Sequence, residues 1–223
     1  MQYNALVEQW PSEYMVYFRE LPGCLSTAPM LEEALAAAPA AIANHVRWLK
    51  ANDLIEEIDN AVTVVVKEQL AAGDNDKGPR FEAELAPPGD EEIDMALNVA
   101  GMARAELIDL YESMPAEQRV RALAPGAWSV DKHLWHIIEA ELWYVSRLSD
   151  VPREKPLTEL SPEISVALFD VGMDSELALR GLSEEQRSRV FTHEGEEWTA
   201  AKVLRRLAGH LREHYPWLKK MAV

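Results

Sequence analysis

From Asp90 to the C-terminus, apolar residues return every three or four positions in separate runs, a period that commits this part of the chain to amphipathic helices. The first run is Ile93, Leu97, Ala100, Leu107, Leu110, Tyr111 and Met114. Asp90, Glu91 and Glu92 stand where a helix dipole favours negative charge, and Pro115 ends the run. The second takes Ser129 as its N-cap and continues through Leu134, Ile138, Leu142, Val145 and Leu148. A loop holding Pro152, Pro156 and Pro162 leads to a third run through Ile164, Ala167, Leu168, Val171, Ala178 and Leu182. Thr199 caps or enters the fourth, whose stripe is Val203, Leu207, His210, His214 and Trp217. Four such helices with a long second-to-third connection bury their stripes most simply on one another, as an all-α four-helix bundle over residues 90–223.

Only His210 and His214 are polar on the last stripe, so both are expected to face inward. Four residues apart on a helix, they stand one turn above one another and their ring nitrogens can reach a single metal ion. The competing reading is a pair of core histidines satisfied by hydrogen bonds. A third ligand decides between the two, and the second helix offers His133 and His136 near one edge of its apolar stripe. Spacing does not choose between them.

Residues 1–70 read as α+β. Tyr3–Trp10 and Tyr14–Arg19 have strand character on either side of a turn at Pro11-Ser12-Glu13, and a short third strand follows Leu21-Pro-Gly. A helix begins near Thr27, runs through Leu31, Leu35, Ile42, Val46 and Leu49 to about Asn52, and should be kinked or split at Pro39. Ala61–Val66 is β-branched and reads as the last strand of a small antiparallel sheet. His45 reads as a surface residue. Residues 71–89 concentrate Gly, Pro and charge and mark a linker, with Phe81–Leu85 as a short extended piece.

With 22 basic against 38 acidic residues the net charge is -16, which repels phosphate backbones and anionic membranes, so direct nucleic-acid binding is not expected. Arg205-Arg206 and Lys219-Lys220 read as solvated helix faces. No stretch has the length and apolarity of a membrane span, and the N-terminus lacks the pattern of a signal peptide. The single cysteine, Cys24, fits a reducing cytoplasm and reads as a small hydrophobe beside a turn. Trp128, Trp135, Trp143, Trp198 and Trp217 read as packing residues. No nucleophile elbow, phosphate-binding glycine loop or C-x-x-C pair competes for a function.

Two combinations of residues resemble known families. Trp128-Ser129 with His136 seven residues after the serine, then Gly195-Glu-Glu-Trp-Thr199 leading into His210-x3-His214, resembles the DinB-like metal-binding four-helix bundles over about residues 89–221. The resemblance implies that His136, His210 and His214 bind a divalent ion, nickel or zinc, and leaves His133 outside the triad. It further implies a homodimer, and relatives that act as transferases or isomerases with low-molecular-weight thiols such as bacillithiol or mycothiol. The Tyr-rich hairpin, Glu20-Leu-Pro-Gly-Cys-Leu-Ser-Thr27 and Leu31-Glu-Glu-Ala-Leu35 resemble the HicB-like antitoxin fold. The fold carries over and the antitoxin role does not, because no DNA-binding segment accompanies it.

Three neutral imidazoles leave a divalent ion its full charge and open coordination positions, where a water or a thiol is held deprotonated near neutrality. Glu139 and Glu213 are candidates for orienting an imidazole, and His193 stands in the loop before the fourth helix, at the mouth of the site or simply exposed. The expected function is a metal-dependent enzyme, a thiol-dependent transferase or hydrolase acting on a small electrophile. The alternative is a non-catalytic binding or regulatory protein, with the N-terminal sheet capturing a partner and the bundle as a dimerising scaffold. A metal held for stability alone is a third reading.

Overall fold

Alternation along the first strand determines how the N-terminal part is built. In the computed structural model, which describes residues 1–56, 62–72, 78–122, 124 and 126–222, strand β1 (Gln2–Gln9) is buried on both faces. Tyr3, Ala5 and Val7 join Val16 and Phe18 of β2 (Tyr14–Phe18) against Ala34, Ala38, Ile42 and Leu49 of helix α1 (Leu31–Ala51). Leu6 joins Met15 and Tyr17 in a second cluster on the opposite face, with Phe81. A third strand, β3 (Leu25–Ala28), pairs antiparallel with β2. The fourth, β4 (Thr63–Ala71), pairs parallel with β1, giving the order β3-β2-β1-β4. The sheet is therefore mixed rather than antiparallel throughout: the α1 crossover carries the chain over the sheet and returns it in the direction of β1. Ala61, where the last strand was expected to begin, and residues 73–77 of the expected linker lie outside the described residues.

Helix α1 runs unbroken through Pro39, without the expected split. Pro39 is exposed, where water can satisfy the carbonyl freed four residues earlier. His45 belongs to the inner face of α1, one step in the series Ala34, Ala38, Ile42, His45, Leu49; it is 5% exposed and stacked on Trp48, not a surface residue. Cys24 is buried, and burial pushes its thiol up to about 12, as befits an inert small hydrophobe.

The second part is helical: α2 (Asp90–Ser113), the short α3 (Ala116–Val120), α4 (Val130–Ser146), α5 (Ile164–Arg180), the short α6 (Glu184–Ser188) and α7 (Ala200–Met221). Ser129 and Thr199 cap α4 and α7 by accepting hydrogen bonds from the Lys132 and Lys202 amides. The four long helices share one core, including Leu107, Leu134, Ile138, Leu168, Leu207 and Leu211. Inside it Arg104 donates to Glu141 at 2.7 Å. Gly172 makes room for this pair, since a Cβ there would fall within the Arg104 guanidinium. Between α6 and α7 a hairpin of β5 (Phe191–His193) and β6 (Glu196–Trp198) turns at Glu194-Gly195, both at positive φ. No helix among the described residues is long and apolar enough to cross a membrane.

Helix α7 is covered on two sides. Leu207, Leu211 and Leu218 face the bundle, while Ala208 and Gly209 meet the sheet, Gly209 admitting the Tyr17 ring to within 3.3 Å of where a Cβ would stand. Arg205 and Arg206 lie on this second side and are not solvated: Arg205 bonds Glu8 and Glu84, both at 2.6 Å, and Arg206 reaches Glu8 at 3.4 Å. The chain entering the bundle is docked here too. Lys202 donates to the Gly78 carbonyl at 2.7 Å, and Glu82–Leu85 forms a 3-10 turn instead of an extended piece, because the Glu84 carboxylate accepts from the Phe81 amide at 2.8 Å. Trp217 is 60% exposed rather than packed, since the core stripe continues through Leu218 and Met221 and leaves it on the neighbouring face.

Candidate metal centre

Packing of α4 against α7 places the histidines. Leu134, Ile137 and Ile138 on α4, and Leu207 and Leu211 on α7, are core residues. His136 and His210, each next in sequence to one of these, stand at the edge of that core, half-buried, and His214 follows one turn on. They do not point into the middle of the bundle, as an inward stripe would have them. They line a cleft of about 650 Å³ that opens between the bundle and the β1–β2 hairpin, whose Trp10, Glu13 and Met15 form part of its wall. That volume suits a small molecule.

Ring geometry brings the three together. The Nε2 atoms of His210 and His136 are 3.2 Å apart, those of His214 and His210 3.0 Å, and one ligand nitrogen from each ring lies within 4.8 Å of the others. Among the described residues this is the one such group of potential ligands. Nitrogens held at 2.0–2.1 Å from one ion stand about 2.8–3.4 Å apart, depending on whether the angle between them is octahedral or tetrahedral, and the His136–His210 and His210–His214 pairs fall in that range. Protonation favours the same reading. Burial lowers the His210 pKa well below the usual imidazole value, helped by His214, His136 and Arg206, and lowers His214 to about 3. Burial also lowers His136, against the opposing charge of Glu139. All three are neutral at pH 7, the form that binds metal.

His133 is near but not among them. Its ring centroid lies 5.5 Å from that of His214, and the Trp128 ring packs edge-on against both His133 and His136 at 5.2 and 5.0 Å. His193 is not at the mouth: its Nε2 lies 2.9 Å from the Arg147 carbonyl oxygen. Glu139 and Glu213 both line the cleft, and neither is hydrogen-bonded to an imidazole among the described residues. Glu139 is exposed, while burial raises the Glu213 carboxyl to about 7 against the pull of Arg206.

The cleft also holds residues that periodicity did not single out. Arg206 lies one turn before His210 and hydrogen-bonds the Tyr144 hydroxyl at 3.3 Å, and the Tyr144 ring stands edge-on to His210 at 5.8 Å. The i, i+4 series Arg206, His210, His214 was the available signal.

The helical part of the chain matches the model of the DinB superfamily over residues 101–218, just over half of the chain. The chain belongs to the DinB superfamily. The matched span of this DinB-superfamily chain contains His136, His210 and His214. The solved structure of YfiT from Bacillus subtilis, described as a probable metal-dependent hydrolase with an unusual four-helix bundle topology, is similar over 61% of this chain and 89% of its own, at 21% identity and a TM-score of 0.49. No curated protein matches the chain.

Proposed function

We propose that the protein is a metal-dependent enzyme in which His136, His210 and His214 hold a divalent ion, nickel or zinc, at the floor of the cleft, and that it acts on a small electrophilic substrate as a thiol-dependent transferase or a hydrolase. The observation that carries this reading is the convergence of three neutral imidazole nitrogens within 4.8 Å on the wall of a substrate-sized cleft. When bound, the ion supplies Lewis acidity that favours the deprotonated form of a coordinating thiol at neutral pH. The protein's own residues do the rest. Trp128 packs on His136 and orients its ring, Tyr144 does the same for His210, and Trp10 of the hairpin forms part of the cleft wall.

The test is spectroscopic. Cobalt-substituted protein is titrated with a low-molecular-weight thiol, and a ligand-field or charge-transfer change is expected that is absent from the His210→Ala/His214→Ala variant. Silence on thiol addition in a sample with one cobalt per chain overturns thiol dependence and leaves hydrolysis, to be assayed with activated esters and amides.

We read the N-terminal part as HicB-like in fold and as a wall of the site, with no antitoxin role. Residues 1–70 and 90–223 are then two modules joined by residues 71–89 and sharing one cleft. We also propose a homodimer, supported by the exposed stripe Val166, Phe169, Met173 and Leu177 on α5, and sedimentation velocity of wild type against Phe169→Glu reads it directly.

A further inference from the structure

Among the described residues Arg206 is the one lysine or arginine lining the cleft, and part of its hydrogen-bonding capacity is unused. A guanidinium has five N–H donors. Those of Arg206 make two long hydrogen bonds, Nη1 to Glu8 Oε2 at 3.4 Å and Nη2 to the Tyr144 hydroxyl at 3.3 Å. Glu8 is engaged elsewhere. Its Oε1 accepts from Arg205 at 2.6 Å, and its Oε2 also accepts from the Trp10 indole at 3.1 Å and lies 3.5 Å from the Tyr17 hydroxyl. Arg205 in turn is bound to both Glu8 and Glu84, so the pairing of these four charges is uneven: two carboxylates close on Arg205, and Arg206 has one carboxylate contact, at 3.4 Å.

We propose that Arg206 is the anion anchor of the cleft: the substrate carries a carboxylate, which the guanidinium receives through a bidentate pair while the reacting end of the molecule lies against the histidines. The proposal names the substrate class of the site described above and rests on that reading. Three further observations support it. Arg206 lies on the same face of α7 as His210 and His214, so an anchored molecule a few atoms long spans the distance between them. Its position is set from two sides, by Glu8 on β1 and Tyr144 on α4, and its side chain is 15% exposed, conditions in which a charged hydrogen bond is strengthened by the low dielectric. The Trp10 and Tyr144 rings flank the guanidinium at 5.9 and 5.5 Å and offer apolar walls to the body of the ligand.

The carboxylates of the cleft sharpen the class. Glu154 is paired with Arg147 at 2.8 Å, Glu139 is exposed, and Glu13 and Glu213 line the remaining wall without an ion pair to Arg206. A second negative charge meets no further lysine or arginine among the described residues of the lining and is opposed by Glu13 and Glu139, so the ligand is a monoanion with one charged end, not a phosphate ester or a dianion.

The experiment uses chelator-treated full-length protein, so that its outcome is independent of metal binding. Fluorescence of the cleft tryptophans is followed on titration with 3-phenylpropionate, its primary amide, and 3-phenylpropylamine. The acid is expected to bind at least about tenfold more tightly than the amide, with the amine weakest. Arg206→Gln removes the difference between acid and amide, and Arg206→Lys retains part of it, with circular dichroism verifying the fold of each. An acid that binds no better than the amide, a preference for the amine, or an acid preference that survives in Arg206→Gln overturns the proposal. Because the acid–amide comparison is made within the wild type, it stands even if a variant fails to fold. Metal analysis of protein purified without chelator decides the metal reading separately.

Discussion

Glu8 on the first strand and Arg205 on the last helix, 197 residues apart in the chain, are joined by a contact of 2.6 Å from Arg205 Nη1 to Glu8 Oε1. Glu8 is fully buried. Burial alone raises its pKa, but Arg205 and Arg206 outweigh burial and hold the carboxyl below the usual range. The sheet and the bundle are thereby tied together by charge as well as by the apolar contact of Val99 and Ala208 with the sheet core.

Removing one member of a buried pair strands the other. Glu8→Ala is expected to lower stability by about 3–5 kcal/mol and to leave denaturation by urea a single transition, because the modules share this interface. Chemical denaturation followed by far-ultraviolet circular dichroism checks both statements, and a separate early unfolding of the sheet contradicts the second.

Arg104 and Glu141 give a parallel case within the bundle core. Glu141→Gln leaves Arg104 buried without a counter-charge and is expected to cost about 3–5 kcal/mol. Arg104→Met combined with Glu141→Leu removes both charges and should cost much less. Gly172→Ala presses a methyl group into the guanidinium and is expected to cost about 1–3 kcal/mol. Denaturation midpoints of the set check the ordering.

Acid should weaken the fold through His45. Burial first, and the charge of Arg212 next, lower its pKa to about 4, against a hydrogen bond to the Pro22 backbone that raises it. The folded state thus favours the neutral ring, while the unfolded chain takes up a proton near pH 6.5. The contribution of His45 is complete above that pH and is lost as pH falls through about 4, on the order of 3 kcal/mol in all. Other buried imidazoles shift the same way, so the wild type is compared with His45→Gln, whose stability should fall less steeply between pH 6.5 and 4. Parallel slopes contradict the assignment.

Much of the bundle could be read from period alone. The helices α2, α4, α5 and α7 and the caps at Ser129 and Thr199 lie where a 3.6-residue repeat and a hydroxyl before it place them. Of the site, the spacing of His210 and His214 could be read directly. The choice of His136 over His133 came only with the family resemblance, because both rings stand near one edge of the same stripe and three residues separate them. Arg205 and Arg206 lie on a helix covered on two sides by different partners, which buries polar residues that a single-stripe reading assigns to water; His45 lies on the one inner stripe of α1, three residues after Ile42 and four before Leu49, and that spacing was its signal. The parallel pairing of β4 followed from the α1 crossover, a topological property that strand composition does not encode. The β5–β6 hairpin had a signal in Glu194-Gly195 between Phe191 and Trp198, alternating positions around a two-residue turn.

The central claim is that His136, His210 and His214 hold one metal ion together. It is tested most directly by elemental analysis of protein purified without chelator, then loaded with zinc or nickel and desalted, for the wild type and for His210→Ala/His214→Ala. About one ion per chain in the wild type and a near-zero content in the folded variant is the expected result; a wild type that retains no ion, or a variant that retains as much, contradicts it.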